Sequence, residues 1–506
     1  MKTIPSIMIQ GTSSDAGKSL LVTGLCRIFR EDGHRVAPFK SQNMALNSYI
    51  TQDGGEIGRA QGVQAEACGI EATVDMNPIL LKPKAHMVSE VIVHGRHFAD
   101  MEAFAYRNDF VPQVMPKIEE SINRLAETYN LLVIEGAGSP AEINLKDRDI
   151  ANMRMADLLD CPVFLAADIE RGGVFASIIG TLELLEPHER ARVQGFIINK
   201  FRGKKELLDS GLDWLEQRTG IPVLGVIPHF EHDIDPEDSL ALDALKLKKR
   251  DLLTADLDIA VIKLPRISNF TDISPLQEEP STSVRYISSL RGFGQPDLIV
   301  LPGSKNTVED LIWLQEQGLA DAIRTAHAKG SRIAGICGGF QMLGETLHDP
   351  ERVESTFSTL DGLGLLATST TFYADKRTIR NKGQLLGPFA GHEVEGYEIH
   401  LGRTERRHDA EPFLQFESGD HDGAVSADGT VFGTYLHGLF QNRAFTRHFL
   451  NSIRAEKGLP PCGDEVTGEA ERREQSYQKL AAHLRQHLDI DLVYHILNTW
   501  SGVKQS

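Results

Sequence analysis

Gly335-Ile336-Cys337-Gly338-Gly339-Phe340-Gln341 follows the apolar run Arg332 to Ile336 and opens a helical pattern. A thiol on a glycine-flanked turn between a strand and a helix is a nucleophile-elbow context. There the side chain is presented to a ligand and the helix N-terminus favours the thiolate. Further along, Gly433-Thr434-Tyr435-Leu436-His437-Gly438 ends a second apolar run on a histidine that can act as base. Both motifs fall at strand ends, where open α/β sheets hold their ligands. The expectation for this half of the chain is a doubly wound α/β domain.

The strand series around that stretch is Asp258–Leu264, Asp297–Leu301, Arg332–Ile336 and Val431–Leu436. An earlier series covers Ser6–Gln10, Val36–Lys40, Leu131–Ile134, Val163–Ala167, Phe196–Asn199 and Val223–Ile227, alternating with longer helical patterns. That alternation predicts a second doubly wound α/β domain with a mostly parallel sheet. Between them, Phe230 to Asp251 runs acidic and then basic and reads as a linker. Residues beyond about Asn442, including Glu469–His487, are charged and helical in pattern. The expected domains are 1–232, a linker 233–255, 256–445, and a helical extension 446–506.

Composition fits this plan. At 506 residues, length alone gives about three domains. The 53 basic and 71 acidic residues leave a net charge of −18, which disfavours a nucleic-acid binder. Anionic small ligands are still possible, because local lysines and Mg²⁺ can invert the field. The five cysteines are widely spaced without a CxxC, which points to a reducing compartment. No leader pattern precedes the first strand, and no apolar stretch nears the ~18 residues of a membrane span. A cytoplasmic protein is expected.

The chain begins with a phosphate loop. Gly11-Thr12-Ser13-Ser14-Asp15-Ala16-Gly17-Lys18-Ser19 lies between a strand and a helix. Its glycines let backbone N–H groups approach phosphate oxygens, Lys18 reaches the terminal phosphates, and Ser19 can ligate Mg²⁺. Five residues separate Gly11 and Gly17, one more than in GxxxxGK[ST]. Nucleotide contacts are therefore expected from Gly11, Thr12, Asp15, Ala16, Gly17, Lys18 and Ser19. Glu135, at a strand end before Gly136-Ala137-Gly138, can face Mg²⁺ across from Ser19. Asp53 is a second carboxylate candidate for the metal, and for both a solvated loop carboxylate is the competing role. Asn199 either contacts the base or is an ordinary strand-end polar residue. Lys40 either neutralises phosphate or substrate carboxylate or lies at the surface.

At the thiol, Cys337 is the candidate nucleophile and His437 the candidate base. A free thiol titrates at about 8.5 and needs such help. Leu301-Pro302-Gly303-Ser304-Lys305 ends the preceding strand, so Gly303, Ser304 and Gly338 are candidate oxyanion donors. One such donor is worth roughly 3 kcal/mol in a working site. The competing role for Cys337 is that of a small buried hydrophobe.

These motifs carry a resemblance. The Cys337 and His437 stretches, with Leu301-Pro302-Gly303-Ser304 upstream, resemble class I glutamine amidotransferase domains, which hydrolyse glutamine through a cysteinyl thioester. Typical members have His-Pro-Glu, whose acid orients the histidine. Here the run is His437-Gly438-Leu439, as in the branch of cobyric acid and cobyrinic acid a,c-diamide synthases, where a dyad suffices. The phosphate loop, with its extra residue, resembles that of the dethiobiotin synthetase-like ATP domain of the same branch. Lys40-Ser41-Gln42-Asn43-Met44-Ala45-Leu46-Asn47-Ser48, Gly55-Glu56-Ile57-Gly58-Arg59-Ala60-Gln61, Met76-Asn77-Pro78-Ile79-Leu80-Leu81-Lys82-Pro83 and Asn199-Lys200-Phe201-Arg202-Gly203 are similar to the cobyric acid synthase pattern.

The resemblance spans nearly the whole chain. It implies ATP- and glutamine-dependent amidation of the b, d, e and g carboxylates of adenosylcobyrinic acid a,c-diamide, a cobalt corrinoid. ATP and Mg²⁺ would be needed, with no permanently bound cofactor, and the partners would be small molecules. It makes Asn43, Asn47, Asn77 and Lys82 substrate candidates, with turn or capping roles equally open to the asparagines. The a,c-diamide synthases, a cell-wall glutamate amidase partner, and a phosphate-loop regulatory module with an inactive amidotransferase domain are the alternatives.

Overall fold

The computed structural model describes residues 4–85, 87–232, 234, 255–407, 410–463 and 468–502. The expected linker 233–255 lies outside the described residues except for Ile234 and Ala255. The chain forms two compact units. The first holds 1–45, 55–235 and 470–506, and the second holds 46–54 and 236–469.

The first unit is built on six strands: β1 (Ser6–Gly11), β2 (Val36–Phe39), β3 (Leu131–Glu135), β4 (Val163–Asp168), β5 (Val193–Phe201) and β6 (Val223–Pro228). Their order is β6-β5-β4-β1-β3-β2, and every pairing is parallel. β1, β3 and β4 are buried along their whole length. That explains their continuous apolar sequence, since a parallel sheet is covered on both faces. The order reverses beside β1, so the loop after β1 opens at a topological switch point. A four-stranded sheet of Gln42–Met44, Ile79–Ala85, Val88–Val93 and Arg96–Glu102 is added to this unit.

The region expected as one C-terminal extension is shared between the two units. Helix Arg443–Glu456 buries Phe445, Phe449, Leu450 and Ile453 in the core of the second unit. Tyr477, Leu480, Leu484, Val493 and Ile496 join the core of the first, with Leu21, Leu25 and Ile28. Gly24 makes this close packing possible, because a Cβ there would lie 2.3 Å from Leu484 Cδ1.

The second unit has β7 (Leu257–Ile262), β8 (Thr282–Ile287), β9 (Leu298–Leu301), β10 (Arg332–Ile336), β11 (Ala424–Val425) and β12 (Val431–Thr434) in the order β8-β7-β9-β10-β12-β11. Only β11 is antiparallel. A long antiparallel pair, Thr368–Leu385 with Glu393–Arg406, forms the backbone of a further sheet. Both units are α/β with helices on a parallel sheet, as the strand series predicts.

Candidate active sites

In the first unit, β1 delivers the chain into a loop that turns through Asp15 (φ 60°) and Gly17 (φ 89°) before helix Lys18–Glu31. Gly17 has to be glycine twice over. Its φ is left-handed, and a Cβ would lie 2.1 Å from Asn199 Nδ2. Thr12 N donates to Ala166 O, which ties the loop to β4. Asn199 Nδ2 donates to Ala16 O at 2.9 Å, so Asn199 braces the loop from the end of β5. Lys18 is buried, and its Nζ donates to Ser13 O (3.1 Å) and Gly138 O (3.0 Å), inside the curl of the loop.

Glu135, at the end of β3, gathers three donors. Its Oε1 accepts from Ser19 Oγ at 2.9 Å and Lys40 Nζ at 2.8 Å, and its Oε2 accepts from Gln64 Nε2 at 2.6 Å. Ser19, Lys40 and Glu135, placed far apart in sequence, thus form one cluster beside Lys18. A hydroxyl and a carboxylate oxygen are hard donors of the kind Mg²⁺ accepts alongside phosphate oxygens. The buried amide atoms Gln10 Oε1, Gln61 Nε2 and Gln64 Oε1 have no hydrogen-bond partner. Such atoms in a native fold call for a ligand or ordered water.

The other sequence candidates have partners of their own. Asp53 falls in the second unit as an exposed carboxylate that accepts from Thr51 Oγ1. Asn77 braces backbone: its Nδ2 donates to Lys40 O and Ile79 O, and its Oδ1 accepts from Gly58 N. Asn43 donates to Gln61 Oε1, and Lys82 forms a buried ion pair with Glu56 at 2.6 Å. Asn47 belongs to the second unit.

In the second unit, Cys337 sits between β10 and helix Gly338–Leu343 with φ 51° and ψ −108°. A non-glycine residue in that region stores about 1–3 kcal/mol of strain and is typical of a presented nucleophile. Gly339 permits the turn, since a Cβ there would lie 2.0 Å from Leu301 O. Cys337 Sγ lies 3.5 Å from Ile399 O, to which it donates. The oxyanion candidates do converge: a Cβ on Gly338 would lie 2.9 Å from Ser304 N, and one on Gly303 would lie 3.1 Å from His437 Cε1.

His437 is fully buried, and its ring stacks on Tyr397 with centroids 5.0 Å apart. A carboxylate adjoins the expected dyad. Asp272 Oδ2 lies 2.7 Å from His437 Nδ1, and Asp272 Oδ1 accepts from Gly438 N at 2.8 Å. The orienting acid absent from the residues after His437 is supplied from a turn after β7. Burial alone pushes the His437 ionisation down. The charges of Asp272 and Cys337 outweigh it and hold the group up at about 10. Asp272 was missed by sequence reasoning, and the only available signal was its place after a strand end in Asn269-Phe270-Thr271-Asp272. Among the remaining cysteines, burial pushes Cys26 and Cys161 up, the latter to about 12, and both are inert by that measure.

A cavity of about 530 Å³ is lined by Phe340, Glu398, His400, Arg403, Arg406 and Tyr435, among others. Two of its lining residues flank the thiol site in sequence, Phe340 three residues after Cys337 and Tyr435 two before His437. His400 Nε2 is buried there without a hydrogen-bond partner, 3.5 Å from Glu398 Oε1.

Comparison with known proteins matches both halves. Residues 7–240 match the CobQ/CobB/MinD/ParA nucleotide binding domain, and residues 258–445 match the CobB/CobQ-like glutamine amidotransferase domain. The cobyric acid synthase of Desulforamulus reducens is 51% identical, with 99% of this chain and all of that protein covered. The chain belongs to the cobyric acid synthase family. Relatives of the same name from Geobacillus thermodenitrificans and Citrobacter koseri are each 51% identical, covering 97% of this chain and 98% of theirs. The family's nucleotide-binding and amidotransferase domains are thus both present, and the phosphate loop and the Cys337 site lie one in each. Among the described residues, no helix is long and apolar enough to cross a membrane.

Proposed function

We propose that this chain converts adenosylcobyrinic acid a,c-diamide to adenosylcobyric acid by amidating its b, d, e and g carboxylates, using ATP and glutamine in the cytoplasm. The observation that carries this is the pairing, in one family member, of a thiol–imidazole–carboxylate site with a phosphate loop facing Lys40 and Glu135. Cys337 attacks the glutamine side-chain amide. The tetrahedral oxyanion is met by donors from Gly303, Ser304 and Gly338. His437 gives its proton to the departing nitrogen and ammonia leaves. Water then cleaves the thioester to glutamate, with His437 as base. The cavity beside the thiol would hold the amino-acid end of glutamine, with Glu398 for its ammonium and Arg403 or Arg406 for its carboxylate.

In the first unit, a propionate carboxylate attacks the terminal phosphorus of ATP, giving an acyl phosphate and ADP. Ammonia then attacks the acyl carbon, and phosphate leaves with the amide formed. A carboxylate is a poor acyl donor because its charge repels nucleophiles and oxide is a poor leaving group, and phosphorylation removes both obstacles. Lys18 and Lys40 would neutralise the phosphates and the incoming carboxylate during transfer. Ser19 and Glu135 would hold Mg²⁺, which when bound further screens the phosphate charge. Asn199 keeps the loop in place. Asn43 and Lys82 remain the corrinoid candidates, and Asn77 supports them by bracing the backbone. Asp53 remains a further carboxylate candidate for the metal.

Mass spectrometry of the corrinoid tests this. With ATP, Mg²⁺ and glutamine, the wild-type chain should replace four carboxylates by amides in successive steps. An unchanged corrinoid, with ATP hydrolysis intact, would move the substrate to another carboxylic acid.

A further inference from the structure

The segment Leu46–Gly54 belongs to the second unit, although the residues on either side of it belong to the first. Asn47 and Ser48 are both buried there. Ser48 N donates to Asn269 Oδ1 at 2.9 Å, and Phe270 N donates to Asn47 Oδ1 at 3.3 Å. These bonds grip the turn that carries Asp272, whose own N donates to Asn269 O at 3.1 Å. Asn269 holds a left-handed conformation (φ 51°), which asparagine tolerates better than most residues. Its Nδ2 lies 3.4 Å from His437 Nε2, while Asp272 engages Nδ1 of the same ring. The imidazole is therefore addressed at both nitrogens by one turn, and that turn is fastened by Asn47 and Ser48.

The same segment reaches the other walls of the site. Ile50 packs with Tyr397 and Ile399 in a small apolar cluster. Tyr397 stacks on His437, and the Ile399 carbonyl takes the Cys337 thiol. Arg380 fixes the segment in place by donating to Ile50 O at 2.7 Å and lying 5.0 Å over the Tyr49 ring. Ser48 reaches this turn with its backbone N–H, and Asn47 reaches it with its side-chain Oδ1.

We propose that Asn47 is a positioning residue for glutamine hydrolysis, holding the Asn269–Asp272 turn against His437, rather than a contact for the corrinoid. The proposal rests on the glutaminase reading of Cys337 and His437. It reassigns part of the Asn43-Met44-Ala45-Leu46-Asn47-Ser48 motif from the ligase reaction to the supply of ammonia.

Steady-state kinetics of the full chain test it, with glutamate release measuring glutaminase and the ammonium-driven reaction measuring the corrinoid KM. Asn47→Ala should lower the glutaminase kcat about tenfold or more, since small misplacements of catalytic groups have effects of that order. The glutamine KM should stay within about twofold by the same reasoning, because no substrate contact is lost. Asn47→Asp keeps an oxygen to accept from Phe270 N and should recover most of the kcat. This second variant also decides the matter if the alanine variant does not fold. A corrinoid contact through the amide N–H would be lost in Asn47→Asp, and the corrinoid KM would rise. An unchanged glutaminase kcat in Asn47→Ala, or a raised corrinoid KM in either variant, overturns the proposal. A wild-type chain that releases no glutamate overturns the glutaminase reading and this proposal together.

Discussion

Asp272→Asn should reduce glutamine hydrolysis by about 10³–10⁴-fold while leaving amidation from added ammonium within about twofold. The substitution is nearly isosteric, and an asparagine Oδ1 can still accept from Gly438 N. The change falls on the imidazole. Asp272 Oδ2 accepts a hydrogen bond from His437 Nδ1–H, which leaves Nε2 with a lone pair once the ring is neutral. An amide nitrogen in that place donates instead, fixes the proton on Nε2 and removes the base. The pH dependence should move as well. His437 is held up at about 10 against an ordinary value of 6.5. A raised folded-state ionisation contributes stability in full below pH 6.5, and that contribution is lost as pH rises through about 10. Removing the carboxylate lowers the upper bound, so thermal stability above neutral pH should fall off earlier in the variant. Glutaminase assays and melting curves between pH 6 and 10 check both effects. Unaltered hydrolysis in Asp272→Asn would show that a dyad suffices after all.

Lys18→Ala should abolish amidation from glutamine and from ammonium alike, by at least about 10²–10³-fold. Lys18 Nζ is enclosed by Ser13 O and Gly138 O, at the point where terminal phosphates meet a phosphate loop. Without it, the charge that develops during phosphoryl transfer loses its nearest fixed cation, and no acyl phosphate forms. Glutamate release at the Cys337 site should persist, because that chemistry requires no nucleotide. The two variants are thus opposite in pattern: one loses the ammonia supply and the other loses the acceptor. Parallel assays of ADP formation, glutamate release and corrinoid mass distinguish them.

Much of this was legible in the sequence because it is local. A strand, a glycine-rich loop and a helix in succession define the phosphate loop, and a glycine-flanked thiol after β10 defines the elbow. Glu135 was legible from its strand end, and the structure places it against Ser19. Asp272 was not, because it stands 165 residues from His437 and its role depends on two strand ends meeting in space. The role proposed for Asn47 is not legible either, because its motif starts in the first unit and passes into the second at Leu46, where Phe270 N donates to Asn47 Oδ1. The charged pattern of Glu469–His487 predicts an extension. Its sparse apolar positions Tyr477, Leu480 and Leu484 join the core with helix Lys18–Glu31, and Gly24 leaves room for Leu480 and Leu484.

In the proposed function, one chain makes ammonia at a thiol and consumes it at a phosphate loop on a corrinoid. Mass spectrometry of adenosylcobyrinic acid a,c-diamide incubated with ATP, Mg²⁺ and the Cys337→Ala variant tests it most directly. The expected result is no amidation with glutamine and stepwise gain of four amides with ammonium. Amidation from glutamine by Cys337→Ala, or none from ammonium by either the variant or the wild-type chain, would contradict it.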